Sequence, residues 1–387
     1  MISTLAVAGY RSLHELRLQL GPLTVVTGAN GSGKSSLYRS LRLLAACATG
    51  GVVGSLAREG GLASALWAGP ETIGSRARDG EPPVFASRRV HAVSLRLGYA
   101  SDGFSYLVDL GLPAEPHGSP FELDPEIKRE VIWSGPLLRP AATLVRRQGG
   151  LVQVRGDRDL ETLTSDLPAF DSVLAELGDP LRSPELLAVR DQVRSWRFYD
   201  SFRADEDAPA RRSQIGTRTF ALADDGRDLA AALATIADIG NGHLLDAAVD
   251  DAFPGSRLQV VVESGRFDLA LTQPGLLRPL RTAELSDGTL RFLLWAAALL
   301  SPRPGELVVL NEPETSLHPA LVPALGRLVV GAAQRTQVLV VTHDEGLVQQ
   351  LAGEPGTVAV ELVKEFGATT VAGAGQLDGP AWSWGSR

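Results

Sequence analysis

Eight residues near the start of the chain constrain its fold more than any others: Gly28-Ala29-Asn30-Gly31-Ser32-Gly33-Lys34-Ser35. Before them runs Leu23-Thr24-Val25-Val26-Thr27, which reads as a buried strand. After them Leu37, Leu41 and Leu44 recur at the spacing of one helix face. A glycine-rich loop between such a strand and such a helix wraps backbone N–H groups around one point and adds the positive end of the helix. Glycine allows that curl because no Cβ obstructs it. The pattern is that of a phosphate-binding P-loop, with the hydroxyl of Ser36 next in line. In it Lys34 pairs with the β- and γ-phosphates of a nucleotide and the Ser35 hydroxyl ligates Mg²⁺.

Three further stretches fit the same chemistry. Leu307-Val308-Val309-Leu310 reads as a buried strand ending in Asn311-Glu312, where P-loop ATPases place a metal-orienting acid followed by a glutamate that polarises the attacking water. Here the first of the two is asparagine. Its carbonyl can accept a hydrogen bond or face a metal-bound water, but it brings no charge, so weaker Mg²⁺ binding or slow turnover is expected. A second apolar strand, Val338 to Val341, ends in Thr342-His343-Asp344, which places His343 at the ligand-gathering edge of a parallel sheet as a γ-phosphate sensor. Leu285-Ser286-Asp287-Gly288-Thr289 opens a helix. Ser286 alone would be an ordinary N-cap. Its place 26 residues before Glu312 gives it a second reading, taken up below.

Between these motifs the pattern changes. Leu16, Leu18 and Leu20 alternate before Gly21-Pro22, which predicts a hairpin with the strand from Leu23. Val93, Leu95, Leu97 and Tyr99 alternate, Asp102-Gly103 turns, and Phe104, Tyr106, Val108 and Leu110 alternate again. Further strands are expected near 129–133, 142–147 and 151–155, and a hairpin at Ser264-Gly265. Residues 158–204 lean helical, 203–218 read as an exposed loop, and helices are expected near 226–238 and 242–252. The expected organisation is an ATPase lobe with a β subdomain over 1–157, a helical and β insertion over 158–280, and a completing segment over 281–387.

Composition narrows the class. The chain is 44% hydrophobic and 21% charged, with a net charge of −8 and one cysteine, Cys47. One cysteine excludes a disulfide framework, and a reducing cytoplasmic setting is expected. His14, His91, His117 and His243 have no ligand spacing, so no protein-held metal cluster is expected. No apolar run reaches the length of a membrane span, and the N-terminus has no signal-peptide pattern. Acidic balance argues against wholesale nucleic-acid binding. The local candidates for DNA are Arg146-Arg147 and Arg211-Arg212.

Taken together, these stretches resemble the SMC, RecF and OLD group of ABC-type ATPases, and most closely the bacterial RecF-like ATPases of the AAA family. The resemblance rests on Gly9-Tyr10-Arg11-Ser12-Leu13, Thr27 to Ser36, Glu284 to Leu290, Asn311 to Pro319 and Val341 to Asp344. It implies an α/β P-loop head of ABC type, with an antiparallel β subdomain and a helical lobe inserted between P-loop and signature. It further implies ATP and Mg²⁺ as cofactors, hydrolysis to ADP and phosphate at Glu312, and a head-to-tail homodimer in which Ser286 and Gly288 face the partner's P-loop. Arg11 matches an arginine near the nucleotide, and Leu317-His318 takes the D-loop position. Asp287 stands where many relatives have glycine, and no Q-loop glutamine matches, Gln148 being the candidate. The tail after Lys364 is too short for a TOPRIM nuclease, so a nuclease or effector would be a separate partner. The implied role is a switch in DNA repair, recombination or anti-phage defence. A non-catalytic nucleotide-binding module is the alternative, and a transporter subunit fits less well because more than 200 residues separate P-loop and signature.

Overall fold

The computed structural model describes residues 1–69, 94–113, 120–200, 202–239, 241–375 and 378–386; Val93, His91 and His117 lie outside them. Two compact units interleave along the chain. One comprises Met1–Gly21, Gly28–Arg194 and Val360–Arg387, the other Pro22–Thr27 and Ser195–Ala359.

The first unit is built on an eight-stranded antiparallel sheet. Its strands are β1 (Ile2–Tyr10), β2 (Leu13–Gln19), β4 (Leu95–Ser101), β5 (Phe104–Gly111), β6 (Glu126–Ser134), β7 (Thr143–Gln148), β8 (Leu151–Arg155) and β9 (Leu160–Thr164), in the order β2-β1-β4-β5-β6-β7-β8-β9. Asp102-Gly103 makes the expected turn between β4 and β5, and Gly149-Gly150 turns between β7 and β8. The helix Lys34–Cys47 packs on β1 and β4 and buries Leu37, Leu41 and Leu44, the face read from the sequence. Burial also pushes the Cys47 thiol pKa up. Near the C-terminus Trp382 and Trp384 pack with Leu107, Val131 and Trp133 of the sheet.

The second unit holds the parallel strands β10 (Arg197–Tyr199), β15 (Leu307–Asn311), β16 (Gln337–Val341) and β3 (Leu23–Thr27), side by side in that order. Helices Asp287–Leu299, Val322–Ala333 and Glu345–Ala352 and the pair Leu229–Asp238 and Gly242–Ala252 share one apolar core with these strands. Phe202 meets Trp295 edge-on, 4.8 Å between ring centres, which fixes the chain after β10 against the first of those helices. A small antiparallel sheet of β11 (Gln214–Ile215), β12 (Arg257–Glu263), β13 (Arg266–Thr272) and β14 (Leu280–Arg281) completes the unit, with β12 and β13 turning at Ser264-Gly265.

Three expectations are corrected. β2 does not form a hairpin with β3. It turns back at Arg11-Ser12 onto β1, whose near-total burial removes the alternation that would have announced it. Pro22 instead opens parallel pairing, its carbonyl accepting from the Val338 N–H at 2.8 Å. Within 158–204, Leu160–Thr164 is an edge strand and Arg197–Tyr199 a parallel one. The first is mostly solvent-facing and the second only three residues long, so neither shows a period. In the stretch 203–218 the Arg211 side chain is only 10% exposed, and it is not a loop arginine facing water.

Candidate nucleotide site

The P-loop lies in the first unit, beginning one residue after β3 ends. Gly28 has φ +143° and Gly33 φ +113°. A Cβ on Gly28 would lie 2.3 Å from the Leu362 carbonyl oxygen, and one on Gly33 would lie 2.2 Å from Thr369 Oγ1. Both positions therefore require glycine on two counts, backbone angle and space. Thr369 Oγ1 donates to the Ser32 carbonyl at 2.7 Å, and its N–H bonds the Ser12 carbonyl at 2.8 Å, bracing the loop from behind. Lys34 is 6% exposed, its ammonium turned onto the carbonyls of Gly28 and Ala29. Ala29, Asn30, Gly31 and Ser35 are exposed and Ser36 half-buried.

Arg11 occupies a left-handed turn (φ +47°), and its guanidinium is held by Glu59, with Nη2 2.7 Å and Nε 3.1 Å from Oε2. Tyr10 donates to the same oxygen at 2.6 Å. Burial, reinforced by that carboxylate, drives the Tyr10 phenol pKa well up. Glu59 escaped the sequence reading because only its fold-dependent contact with Arg11 marks it out.

The second unit brings the C-terminal ends of its parallel strands together. Tyr199 pairs with Leu310, and Asn311 with Val341, so Asp200, Asn311-Glu312 and Thr342-His343 emerge at one edge. That is the edge where α/β sheets bind ligands. Glu312 lies in the left-handed region, φ +49°, a conformation costing a non-glycine residue on the order of 1 kcal/mol. Its N–H is tied to the Val341 carbonyl at 2.7 Å, which holds the strained turn. His343 Nδ1 is 3.8 Å from Glu312 Oε1 and 3.3 Å from Glu314 Oε1.

Glu314 was not singled out from sequence, yet it organises this edge. Its Oε1 accepts from Thr342 Oγ1 at 2.7 Å and from the His343 N–H at 3.1 Å, so one carboxylate fastens the turn after β15 to the turn after β16. The side chain is 6% exposed, and Oε2 is buried with no partner. The only advance signal was an acid within Glu-Pro-Glu-Thr-Ser-Leu-His-Pro. His318 shapes that loop, its Nδ1 accepting from the Ala320 N–H at 3.2 Å.

Ser286 caps the helix Asp287–Leu299, accepting from the Thr289 N–H, and Gly288 lies in its first turn. The loop before it is held by Arg211. The Nη1 of this arginine donates to the carbonyls of Thr282, Ala283 and Leu285, its Nε to those of Ala204 and Asp205, and its Nη2 to Asp287 Oδ1 at 2.7 Å. Asp287 thus has its charge matched within the unit. Next to it, the Arg278 guanidinium and the Arg281 N–H hold the Glu284 carboxyl at a pKa of about 2.

These contacts correct the DNA candidates. Arg147 is fully buried on Glu130, and Arg211 is spent on the loop before Ser286. Arg146 bonds Gln148, which stands at the β7–β8 turn, and Arg212 lies 67% exposed near Asp207.

The P-loop residues of the first unit fit the phosphates of a nucleotide. In the first unit the Ser32 hydroxyl is a buried polar atom without a partner, and in the second unit Glu314 Oε2 is another.

A family model described as "AAA domain, putative AbiEii toxin, Type IV TA system" matches residues 23–349, and the chain belongs to that family. No curated protein matches the sequence. Among solved structures, an Smc head bound to the C-winged helix domain of ScpA shares 14% identity over 96% of this chain and 97% of its own, with a TM-score of 0.51. The Smc head with an extended coiled coil bound to the C-terminal domain of ScpA, derived from Pyrococcus furiosus, shares 12% over 96% and 95%, TM-score 0.47. The SMC head domain from Thermotoga maritima shares 16% over 96% and 98%, TM-score 0.43. The fold is the mixed α/β P-loop ATPase fold of SMC heads, with its large antiparallel sheet. No helix among the described residues is long and apolar enough to cross a membrane.

Proposed function

We propose that the chain binds ATP with Mg²⁺ through Gly28 to Ser36 and hydrolyses it to ADP and phosphate. Lys34 would neutralise the β- and γ-phosphates and the Ser35 hydroxyl would face the metal; in the second unit the metal-facing residue would be Asn311. Glu312 would polarise the attacking water, and His343, steadied by Glu314, would meet the γ-phosphate. Mg²⁺, when bound, supplies charge neutralisation of the phosphates. The observation that carries this reading is the convergence of Glu312, Glu314 and His343 at one edge of the parallel strands, with the strained Glu312 turn pinned in place.

Ser286 and Gly288 serve a second copy, giving an ATP-closed, head-to-tail homodimer that hydrolysis reopens. Segments 1–157, 158–280 and 281–387 are the ATPase lobe, the inserted lobe and the completing part of this switch. Its output is control of a separate effector protein, in keeping with a family described by a type IV TA system. DNA repair or recombination is the second reading, with fewer free arginines behind it than the sequence promised. The proposed location is the cytoplasm. Light scattering of Glu312→Gln tests the switch. Doubled mass with ATP and Mg²⁺, and monomer mass with ADP, is expected. Monomer mass with ATP fully bound would overturn it.

A further inference from the structure

The sequence leaves the proposed metal-facing position without charge, because asparagine stands at 311. The structure puts a carboxylate beside it. Strand β10 runs parallel to β15, with Tyr199 opposite Leu310, so the residues that follow, Asp200 and Asn311, emerge as neighbours on adjacent strands. Asn311 Nδ2 lies 2.9 Å from Asp200 Oδ1. A carboxylate oxygen can only accept, so the amide must present its NH₂ to Asp200. That choice fixes the other end of the amide: Asn311 Oδ1 is the oxygen left over to accept or to face a hydrated cation. We infer that Asp200 and Asn311 act as a split metal-facing pair, in which Asp200 supplies the negative charge and Asn311 the oriented carbonyl. Together they carry one negative charge, as a single aspartate at 311 would.

The inference rests on the reading of the chain as an ATP- and Mg²⁺-binding protein. Asp200 is exposed, as a group facing hydrated metal should be, and it belongs to the same edge as Glu312 and His343. A purely architectural role predicts something different. An asparagine at 200 keeps an acceptor for Asn311 Nδ2, so architecture would survive Asp200→Asn, while the charge would go.

The test uses the intact protein with ATP, and Mn²⁺ as a paramagnetic stand-in for Mg²⁺. Mn²⁺ affinity of the protein–ATP complex is read by electron paramagnetic resonance, and ATP affinity in EDTA by calorimetry. Asp200→Asn should weaken Mn²⁺ binding about tenfold, the scale of losing a group that tunes a metal site. ATP binding in EDTA and the thermal melt should stay as in wild type. Moving the charge across, with Asp200→Asn and Asn311→Asp combined, should recover most of that affinity. Asn311→Asp alone, which keeps Asp200 and adds a second carboxylate, should bind Mn²⁺ no more weakly than wild type. Unchanged Mn²⁺ affinity in Asp200→Asn, in a protein that binds ATP normally, overturns the split pair and leaves the ATP reading standing. A loss that the exchanged pair does not recover also overturns it. A wild type that binds no ATP, with or without metal, brings down the reading beneath it as well.

Discussion

Two carboxylates, one in each unit, show how differently the molecule uses buried charge. Glu130, on β6, is 1% exposed and saturated. Its Oε1 accepts from Tyr106 and Ser172 hydroxyls, and its Oε2 from the Val173 N–H and Arg147 Nη1. Arg147 in turn reaches the carbonyls of Gly149, Pro168 and Asp171, tying the β7–β8 turn to the chain that follows the sheet. Nothing in that network is left to bind a ligand. Glu314 is almost as buried but spends only one oxygen on its own protein. A closed network fixes architecture, and an open one holds capacity for something that arrives later.

Removing a saturated partner should therefore cost stability, and removing an open one should cost function. Glu130→Ala leaves the Arg147 guanidinium buried and unpaired, and denaturant melts should lose about 3–5 kcal/mol. The paired change of Glu130 and Arg147 to methionine should cost less than Glu130→Ala, since no uncompensated charge remains. A cost under about 1 kcal/mol for Glu130→Ala would break the contrast. Glu314→Gln keeps the shape and the acceptor for Thr342 and His343. It should slow ATP hydrolysis about tenfold, a modest share of what acid–base groups contribute, with the melt shifted by a few degrees at most. A large melt shift with normal turnover would place Glu314 in the architectural class instead.

Arg211 tests a case between the two. It is largely buried but bonds a loop whose proposed partner is a second copy. Arg211→Ala should weaken ATP-driven dimerisation several-fold in light-scattering titrations while ATP binding to the monomer holds. Loss of monomer binding would show that the arginine supports the whole unit. Glu284 should give the smallest effect. Its pKa, lowered from 4.5 to about 2 by Arg278 and the Arg281 N–H, makes its stabilisation complete above about 4.5 and lost as pH falls towards 2. Melts of wild type and Glu284→Gln should differ by a constant amount from pH 8 to 5 and converge below pH 4. A gap that stays at full size down to about pH 2 would assign the effect to something other than this ionisation.

How much of this was legible in the sequence depended on distance along the chain. The P-loop could be read whole because strand, loop and helix are contiguous, and the face of Leu37, Leu41 and Leu44 is buried as its spacing predicts. The positions of Glu312 and His343 beyond the strand ends were readable because each follows an apolar strand. Asp200 was not, because its place beside Asn311 comes from a three-residue strand paired with residues 111 positions away. Arg147 and Arg211 were misread because paired arginines on an acidic chain look like solvated surface, and only the tertiary fold reveals what carbonyls surround them. The strand β1 carries no alternation because nearly every side chain in it is buried.

Phosphate release from ATP by wild type and by Glu312→Gln, compared at matched nucleotide occupancy, goes most directly to the centre of the account. Wild type should turn over at least about 100-fold faster, the lower range for a positioned general base. Equal rates in the two proteins would contradict it, and would leave a nucleotide-binding module in which the strained glutamate does no chemistry.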